Sequence, residues 1–268
     1  ITMAFLPKAT AAPLLTVVDG LNAVFLKMVE IVMAGAPFFV FCLLSGVIAK
    51  MANTPAEVFE IFKSLSSYSV TVLLGLGLMI FLIYPFIVKA VVKGISYSRF
   101  FKNIAPAQFL AFSTSSSAAT LPVTMECLEE NMGVSKNVSS FVLPIGATVN
   151  MDGTSLYQAV AVVFLAQLHM IDLSLAQQLM IVMTATLSSI GAAAVPSAGL
   201  VMMIIVLQSV GLNPAWIAIV FPVDRILDMC RTVVNVTGDA TVSTIIADSE
   251  KELNMPENLH DYSHIKES

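Results

Sequence analysis

The longest uncharged stretch of the chain sets the first constraint on its fold. From Leu173 to Val223 the sequence contains no Asp, Glu, Lys or Arg, and Ile31–Ala49 and Ser64–Val88 are shorter runs of the same kind. Charged residues make up 12% of the chain, whereas a soluble domain carries about 25%. Because about 20 apolar residues cross a bilayer as a helix, the pattern predicts an all-α, multi-pass membrane protein. The chain has no basic surface of the kind that binds nucleic acid.

A cluster of positive residues gives the expected orientation in the membrane. Lys89, Lys93, Arg99 and Lys102 follow one another with no acidic residue between them. Loops rich in Lys and Arg stay on the cytoplasmic side, so this loop is predicted to be cytoplasmic.

A polar stripe lies in the apolar sequence between Phe221 and Ile246. Its members are Asp224, Asp228, Arg231, Asn235 and Asp239. Their spacing of three or four residues places them on one face of a helix. An ionised side chain costs at least about 2.5–3.5 kcal/mol at the bilayer centre, and such residues mark ion or substrate pathways.

The uncharged segment Asn103–Met125 contains a serine run that ends in Thr120-Leu121-Pro122. One interpretation is a re-entrant hairpin of two half-helices, because irregular backbone at membrane depth needs protein or a water-filled cavity around it. The other interpretation is a single serine-rich helix that packs against its neighbours. This segment alone favours neither.

A polar interruption divides the next apolar segment, Asn137–Ile171. It reads NMDGT at Asn150–Thr154, and its Gly153 predicts an unwound turn within a spanning helix. Free backbone carbonyls beside a carboxylate such as Asp152 are the ligands that a dehydrated hard cation prefers.

The order of these features repeats. The serine and alanine pattern at Ser115–Pro122 recurs at Ser189–Pro196, and the interruption at Asn150–Thr154 is matched by NVTGD at Asn235–Asp239. The sequence therefore predicts a re-entrant helical hairpin followed by a broken transmembrane helix, twice. With a cytoplasmic first hairpin the two halves form inverted repeats, which is typical of a transporter with its site between the repeats.

These motifs together resemble the dicarboxylate/amino acid:cation symporter family, which includes excitatory glutamate transporters and prokaryotic aspartate and glutamate homologues. The serine run with TLP, the NMDGT turn, the second hairpin and DMCRTVVNVTGD occur in the family's order. The resemblance covers about residues 20–249 and implies that the family's first helices are missing from this sequence. It implies a scaffold and trimerisation remnant at 1–56, a transport domain at 57–249, and a cytoplasmic tail at 250–268.

The resemblance also implies the activity. A homotrimer in the plasma membrane would carry acidic amino acids (aspartate or glutamate) by sodium-coupled symport, with each transport domain moving like an elevator against the scaffold. Its partners would be the amino acid substrate and the lipid bilayer, its cofactors sodium ions, and it would not be an enzyme.

The stripe supplies partners for such a substrate. The planar fork of Arg231 suits the side-chain carboxylate, Asp228 the ammonium group, and Asn235 the α-carboxylate. The alternative is an Asp228–Arg231 pair that only neutralises itself, although buried ion pairs are poor stabilisers. The resemblance adds the substrate contacts Thr154, Ser116, Ser117, Val195, Gly199 and Thr232.

The resemblance implies three sodium sites. The first consists of the Asp239 and Asn235 side chains with the carbonyl groups of Gly146 and Asn150. The second, deeper site uses Asp152, whose alternative role is a structural carboxylate that caps nearby amides. The third site lies beneath the second hairpin, and the sulfur of Met151 links ion and substrate binding. Backbone carbonyls for the third site come from Thr148, Ser189, Ile190 and Ala192.

Several positions depart from the family's pattern. Gln158 stands where proton-coupled animal relatives carry Glu, and an amide carries no proton in this pH range, so sodium coupling without proton or potassium countertransport is expected. Ala194 replaces a usual glycine at the second hairpin, which affects its flexibility. Asp224 is expected to orient its helix rather than to contact substrate.

The same residues bear on three alternative functions. Arg231 argues against a neutral amino acid exchanger, and Asp228 argues against a carrier of plain C4-dicarboxylates. An intramembrane protease would use Asp152 and Asp239 as a pair, but neither a GxGD nor a GxSG signature accompanies them.

Overall fold

The computed structural model describes residues 8–92 and 94–254. Each secondary-structure element in that part of the chain is a helix. The prediction of an all-α fold is therefore confirmed for these residues. The α-helices are α1 Lys8–Met51, α2 Pro55–Leu78, α3 Tyr84–Val91, α4 Tyr97–Thr114, α5 Ser117–Glu126, α6 Lys136–Val149, α7 Asp152–Leu168, α8 Leu175–Ile190, α9 Ala198–Ser209 and α10 Ile217–Ser249. π-Helical segments span Met79–Ile83 and Cys127–Asn131, and a 3₁₀ turn spans Pro214–Trp216.

Helix α1 is longer than the sequence pattern indicated. It runs for 44 residues and includes Pro13 and Pro37 without ending at either. The sequence predicts that residues 1–20 form the end of one membrane segment and a connection to the next. The connection is wrong for the part from Lys8 onward, which is helical, and residues 1–7 lie outside the described part. Apolar helices tolerate an internal proline when neighbouring groups take up the freed carbonyl. Helix α1 contacts α10 and α2.

The chain from Pro55 to Val91 is helical throughout and apolar. Its 37 residues form the one helix of the described chain that is long and apolar enough to cross a membrane. It contains the predicted span Ser64–Val88. Its start is fixed by Thr54, whose side chain accepts a hydrogen bond from the backbone N–H of Glu57, with Pro55 in the first helical turn.

Helix α10 is the central helix of the fold, because it contributes residues to both main hydrophobic cores. One core lies among α2, α7, α8 and α9 and includes the fully buried Leu165 and Met203. The other lies among α3, α4 and α6 and includes Phe100 and Leu143. The polar stripe on α10 is thus enclosed by protein on several sides.

The serine run forms a turn between α4 and α5. Ser115 ends α4 in the left-handed conformation, with φ 52° and ψ 34°, and its N–H donates to the carbonyl of Ala111. The Ser116 hydroxyl then accepts from the N–H of Ala119 at 3.1 Å and caps α5. Of the two interpretations of this segment, the structure has two packed helices rather than one continuous helix.

A second helical hairpin joins α8 to α9 through the irregular residues 191–197. The two hairpin tips touch, since the Ser116 hydroxyl donates to the carbonyl of Ala194 at 2.6 Å and the Ala118 N–H lies 3.4 Å from the same oxygen. Ser197 adopts a left-handed φ of 59° immediately before α9.

The break between α6 and α7 is shorter than predicted. Only Asn150 and Met151 are non-helical, and Thr154 lies inside α7. Met151 offers no side-chain cap to the new helix. The amide oxygen of Asn235 supplies one instead, by accepting from the N–H of Gly153 at 2.8 Å.

The predicted second break, at Asn235–Asp239, is wrong. Helix α10 is continuous over its 33 residues. The polar side chains there find partners without unwinding the backbone: the Thr237 hydroxyl donates to the carbonyl of Val233 at 2.7 Å and accepts from Gln108 at 2.9 Å. Since a continuous helix satisfies its own backbone groups, nothing requires this segment to open.

The first residues of the predicted tail pack against the protein. The N–H of Asn254 donates to Gly133 at 2.8 Å, and the N–H of Ser135 donates to Glu252 at 3.1 Å. The polar sequence from Asp248 predicts a solvated end. Ser249, Glu250, Lys251 and Asn254 are exposed, as this predicts, although backbone bonds attach residues 252 and 254 to the segment before α6. Residues 255–268 lie outside the described part.

Gly238 allows close packing around α10, and its replacement tests this packing. A Cβ there would lie 2.8 Å from the Tyr84 hydroxyl and 2.9 Å from the Asn150 amide nitrogen, whereas at Gly77 the nearest atom, on Phe81, is 4.0 Å away. Gly238→Ala should lower the free energy of unfolding by about 1–3 kcal/mol, because overpacking displaces buried groups. Gly77→Ala should be neutral or stabilising by about 0.5–1 kcal/mol.

Thermal unfolding of the two purified variants in one detergent measures the difference. Equal transition temperatures for Gly238→Ala and Gly77→Ala would contradict the packing of Tyr84 and Asn150 against α10.

Candidate functional site

A buried ion pair lies at the centre of the site. Arg231 and Asp228 are each 2% exposed, and Nη2 of Arg231 donates to Oδ1 of Asp228. The guanidinium carbon lies 4.6 Å from the centroid of the Tyr157 ring. Nη1 of Arg231 is buried with no hydrogen-bond partner among the described residues. The pair therefore satisfies Asp228 but leaves donor capacity on Arg231 for another acceptor.

The unpaired side of Arg231 faces a small cavity of about 20 Å³. That volume holds about one water molecule. The lining comes from both hairpin tips, the α6–α7 break and α10. It consists of Ser115, Ser117, Met151, Thr154, Ala193, Ala194, Val195, Gly199, Asp228, Arg231, Thr232 and Asn235.

Two carboxylates of α10 hold the tip of the second hairpin. Oδ2 of Asp228 accepts from the N–H of Ser197 at 2.7 Å. Asp224 accepts from the Ser197 hydroxyl at 2.9 Å and from the Tyr157 hydroxyl at 2.7 Å. Asp224 is 2% exposed but does not line the cavity, so its contacts are with the protein.

The Asn235 amide joins α10 to the start of α7. Its oxygen accepts from Gly153, and its Nδ2 donates to the Thr154 hydroxyl at 3.1 Å. Thr232, one turn earlier on α10, donates to the carbonyl of Asp228 at 2.8 Å. The two bonds of Asn235 fix the polar face of α10 against α7, while the Thr232 bond lies within α10.

Glycines let the helices approach Arg231. A Cβ on Gly199 would lie 2.6 Å from Nη1 of Arg231 and 2.9 Å from Cγ2 of Thr154. A Cβ on Gly153 would lie 2.6 Å from the backbone oxygen of Arg231. Any larger residue at either position would displace the guanidinium or the backbone that carries it.

Asp239 forms a second polar centre one turn beyond Asn235. It is 4% exposed, its Oδ1 accepts from Nδ2 of Asn150 at 3.0 Å, and it forms no salt bridge within the described residues. A Cβ on Gly146 would lie 2.7 Å from that oxygen, so the α6 backbone is close by. The carbonyl of Gly146 accepts from the N–H of Asn150 at 2.8 Å and can accept a second contact. A buried carboxylate with no cationic partner among the described residues, beside helix-end carbonyl groups, fits a hard cation such as sodium.

Asp152 lies on another side of the α6–α7 break. Its Oδ2 accepts at 2.9 Å from the Tyr84 hydroxyl, which is also 3.2 Å from the carbonyl oxygen of Val234. With Met151, Ser189 and Ile190 it lines a cavity of about 470 Å³ between α6, α7, α8 and the π-helical segment that begins at Met79.

The third predicted ion site is only partly assembled. Ser189 and Ile190 share the cavity of Asp152, while Thr148 is exposed and lies outside the residues that line it. Ala192 packs instead with Met151 and Ala194, and its N–H donates to the carbonyl of Ser189 at 3.1 Å. The described residues contain no cluster of three His, Cys, Asp or Glu side chains, so ion ligands here would include carbonyl groups.

Most of the predicted substrate contacts line the small cavity. Arg231, Asp228, Asn235, Thr154, Ser117, Val195, Thr232 and Gly199 all do so. Ser116 instead joins the two hairpin tips, and the Val195 carbonyl accepts from Ala198 at 3.3 Å.

Sequence reasoning missed Tyr157, Tyr84 and Ser197. Tyr157 follows Thr154 by one helical turn, which was a usable signal because i and i+3 share a face. Tyr84 and Ser197 reach the site from distant segments, and no local pattern marks them.

The Tyr157 hydroxyl is testable apart from the Tyr157 ring. Tyr157→Phe removes a buried hydrogen bond to Asp224 and keeps the ring against Arg231, so the free energy of unfolding should fall by about 1–3 kcal/mol. Tyr157→Leu should cost more, because it also removes the cation–π contact. Thermal unfolding without substrate measures both, and a Tyr157→Phe variant as stable as wild type would contradict the role of the hydroxyl.

Comparisons with known proteins identify the family of the chain. The family model described as the sodium:dicarboxylate symporter family matches residues 1–249. Excitatory amino acid transporter 3 of Oryctolagus cuniculus is 47% identical over 236 residues, which cover 88% of this chain and 44% of the relative. Excitatory amino acid transporter 2 of Homo sapiens is 43% identical over 241 residues (90% and 41%), and an excitatory amino acid transporter of Caenorhabditis elegans is 44% identical over 226 residues (84% and 44%).

The chain spans less than half the length of these relatives. The family and the matched relatives are membrane transporters rather than enzymes, which excludes the protease hypothesis. The match extends over nearly the whole chain and includes every element of the site, so the chain belongs to the sodium:dicarboxylate symporter family.

Proposed function

We propose that this protein is a secondary active transporter that carries aspartate or glutamate into the cell together with sodium. The observation that carries the proposal is the buried Arg231, with one nitrogen bound to Asp228 and the other unpaired at a cavity between two hairpin tips. An unpaired buried donor costs free energy. A ligand that accepts a hydrogen bond from this nitrogen explains why the protein keeps the donor there.

An acidic amino acid matches the donors and acceptors in the cavity. Its side-chain carboxylate accepts from Nη1 of Arg231, and its ammonium group binds the carboxylate of Asp228. Its α-carboxylate accepts from the second hydrogen on Nδ2 of Asn235, the one that Thr154 does not use. A neutral amino acid would leave the buried Arg231 incomplete. A plain dicarboxylate would place a second anion beside Asp228.

Substrate entry requires the second hairpin to move. The cavity of about 20 Å³ is far smaller than the roughly 300 Å³ of small-molecule pockets. The tip at 191–197 is irregular and is attached to α10 through Ser197. Its withdrawal frees Oδ2 of Asp228 for the ammonium group and admits the substrate.

Sodium would bind beside Asp239, Asn150 and the carbonyl of Gly146, where its charge neutralises the buried carboxylate. Asn150 belongs to the α6–α7 break, and the same break positions Gly153 and Thr154 against Asn235. An ion that orders the break therefore orders the substrate contacts, which couples the two affinities. Asp152, with Tyr84, and the Ser189–Ile190 carbonyls are proposed for further sodium ions.

The wider assembly is part of the same proposal. Residues 1–56 would belong to a trimerisation scaffold and 57–249 to a transport domain that moves as an elevator in the plasma membrane, with 250–268 on the cytoplasmic side. The hairpins α4–α5 and α8–α9 would be re-entrant and related as inverted repeats. Support comes from the resemblance and from the contact between the hairpin tips.

Coupling is proposed to involve sodium without a proton. Nε2 of Gln158 donates to the carbonyl of Gly199 at 2.8 Å, and both residues are buried. The amide of Gln158 keeps this hydrogen bond at any physiological pH. The contact between α7 and α9 therefore needs no group that gains or loses a proton.

Arg231→Cys is the direct test of substrate choice. In proteoliposomes with an inward sodium gradient, the wild type should take up labelled aspartate or glutamate. The variant should lose at least about 100-fold in uptake efficiency for these acids, because the site loses a charge-assisted bond worth about 3 kcal/mol. It should gain uptake of small neutral amino acids.

Arg225→Cys is the matched control, since Arg225 is on the same helix but does not line the cavity. It should keep the preference for acidic substrates. Undiminished aspartate uptake by Arg231→Cys would refute the assignment of Arg231, and an absence of sodium-driven uptake in the wild type would refute the function.

Gln158→Glu tests the absence of proton coupling. An ionised carboxylate would face the Gly199 carbonyl with no proton to donate, while the protonated acid restores the bond. Uptake by the variant should therefore fall as pH rises, at least about tenfold across its titration, for the loss of one buried hydrogen bond.

The wild type should show no matching step, and Gln167→Glu, exposed on the same helix, should behave like the wild type. A pH profile of uptake for the three proteins decides the point. Identical profiles for Gln158→Glu and the wild type would contradict the bond to Gly199.

A further inference from the structure

Ser197 makes two separate bonds to α10, and together they hold the tip of the second hairpin. Its N–H donates to Oδ2 of Asp228 at 2.7 Å, and its hydroxyl donates to Oδ2 of Asp224 at 2.9 Å. Asp224 is kept in place by the Tyr157 hydroxyl at 2.7 Å. Both carboxylates are 2% exposed, so these bonds form away from water and are strong for their type.

The backbone of Ser197 is held in an uncommon conformation. Its φ of 59° and ψ of 7° lie in the left-handed region, which a residue with a Cβ adopts at a cost. This conformation turns the N–H toward Asp228 at the start of α9. The hydroxyl bond to Asp224 is the side-chain interaction that offsets the cost.

The N–H of Ser197 occupies the position that a substrate ammonium group needs. Oδ1 of Asp228 accepts from Arg231 and Oδ2 accepts from Ser197, so each oxygen of the carboxylate already has a donor within the protein. The cavity next to it has a volume of about 20 Å³, which excludes an amino acid. This conformation of the tip is therefore incompatible with bound substrate.

We propose that Ser197 is a positioning residue that latches the α8–α9 tip in this narrow conformation, so that the protein's own backbone N–H competes with the substrate ammonium group for Asp228. The inference rests on the proposed function in taking an acidic amino acid as the substrate. It assigns the hydroxyl of Ser197 and the carboxylate of Asp224 a joint role: they set the fraction of the protein that is open to substrate.

The latch predicts in which direction the apparent Kd for substrate changes when the Ser197 hydroxyl is removed. When only part of the population can bind, the apparent Kd is the intrinsic Kd divided by the competent fraction. Removing the Ser197 hydroxyl weakens the narrow conformation and raises that fraction. A residue that held the hairpin over bound substrate would have the opposite effect, since its loss would weaken binding.

Ser197→Ala in the full-length transporter tests the latch. It keeps the backbone N–H and the Cβ and removes only the hydroxyl. Calorimetric titration with aspartate in saturating sodium should show a Kd lower than that of the wild type by about tenfold, the worth of one buried hydrogen bond to a carboxylate. Ser197→Gly should give a smaller decrease, because glycine adopts the left-handed conformation without cost and so partly restores the narrow form.

Ser209→Ala is the matched control. Its hydroxyl lies at the far end of α9, where it donates to the carbonyl of Val206 at 2.7 Å, and its loss should leave the Kd unchanged. An unchanged or higher Kd for Ser197→Ala would overturn the proposal.

Hydrogen exchange without substrate gives a readout that is independent of transport. Amides of residues 194–200 should exchange faster in Ser197→Ala than in the wild type, while amides at the α4–α5 turn should not change. Equal exchange in the two proteins would overturn the latch. If the wild type bound no acidic amino acid, the proposed function would fail, and the exchange experiment would still decide whether Ser197 holds the tip.

Discussion

The buried pair of Asp228 and Arg231 is the interaction on which the rest of the structure depends. Removing two charges from water costs several kcal/mol each, and their mutual attraction repays this only with good geometry and further hydrogen bonds. The fold supplies one such bond from the N–H of Ser197 to the carboxylate, and it places the Tyr157 ring beside the guanidinium. Nη1 of Arg231 has no hydrogen-bond partner among the described residues, and Arg231 lines the cavity.

Helix α10 therefore does more than carry the site. It contributes to both main cores and presents its polar face to α7, α9 and the α6–α7 break. Close approach on that face depends on glycine, since Gly199, Gly153 and Gly238 each leave space that a Cβ would fill. The polar residues on this face require buried partners. The glycines have no side chain beyond the backbone, so they let those partners approach closely.

The sequence predicted the membrane class, the stripe and most of the residues that line the cavity, because spacing along a helix and the cost of buried charge are local properties. It failed where the outcome depends on contacts between distant segments. The NVTGD segment has a composition similar to that of NMDGT, yet it stays helical because Gln108 and Asn150 reach Thr237 and Asp239 from other helices. The roles of Tyr84 and Ser197 were not predictable for the same reason, since each acts on a carboxylate far away in sequence.

The amide of Asn235 has a mechanical consequence. Its oxygen and its nitrogen are both committed to the first turn of α7, so α7 and α10 are fastened together next to the unwound residues. That junction is stiff, although its backbone is irregular. Residues 191–197 are irregular and reach α10 through Ser197, so under the proposed function the hairpin tip is the side that moves for a ligand, while the α7–α10 junction serves as the rigid side.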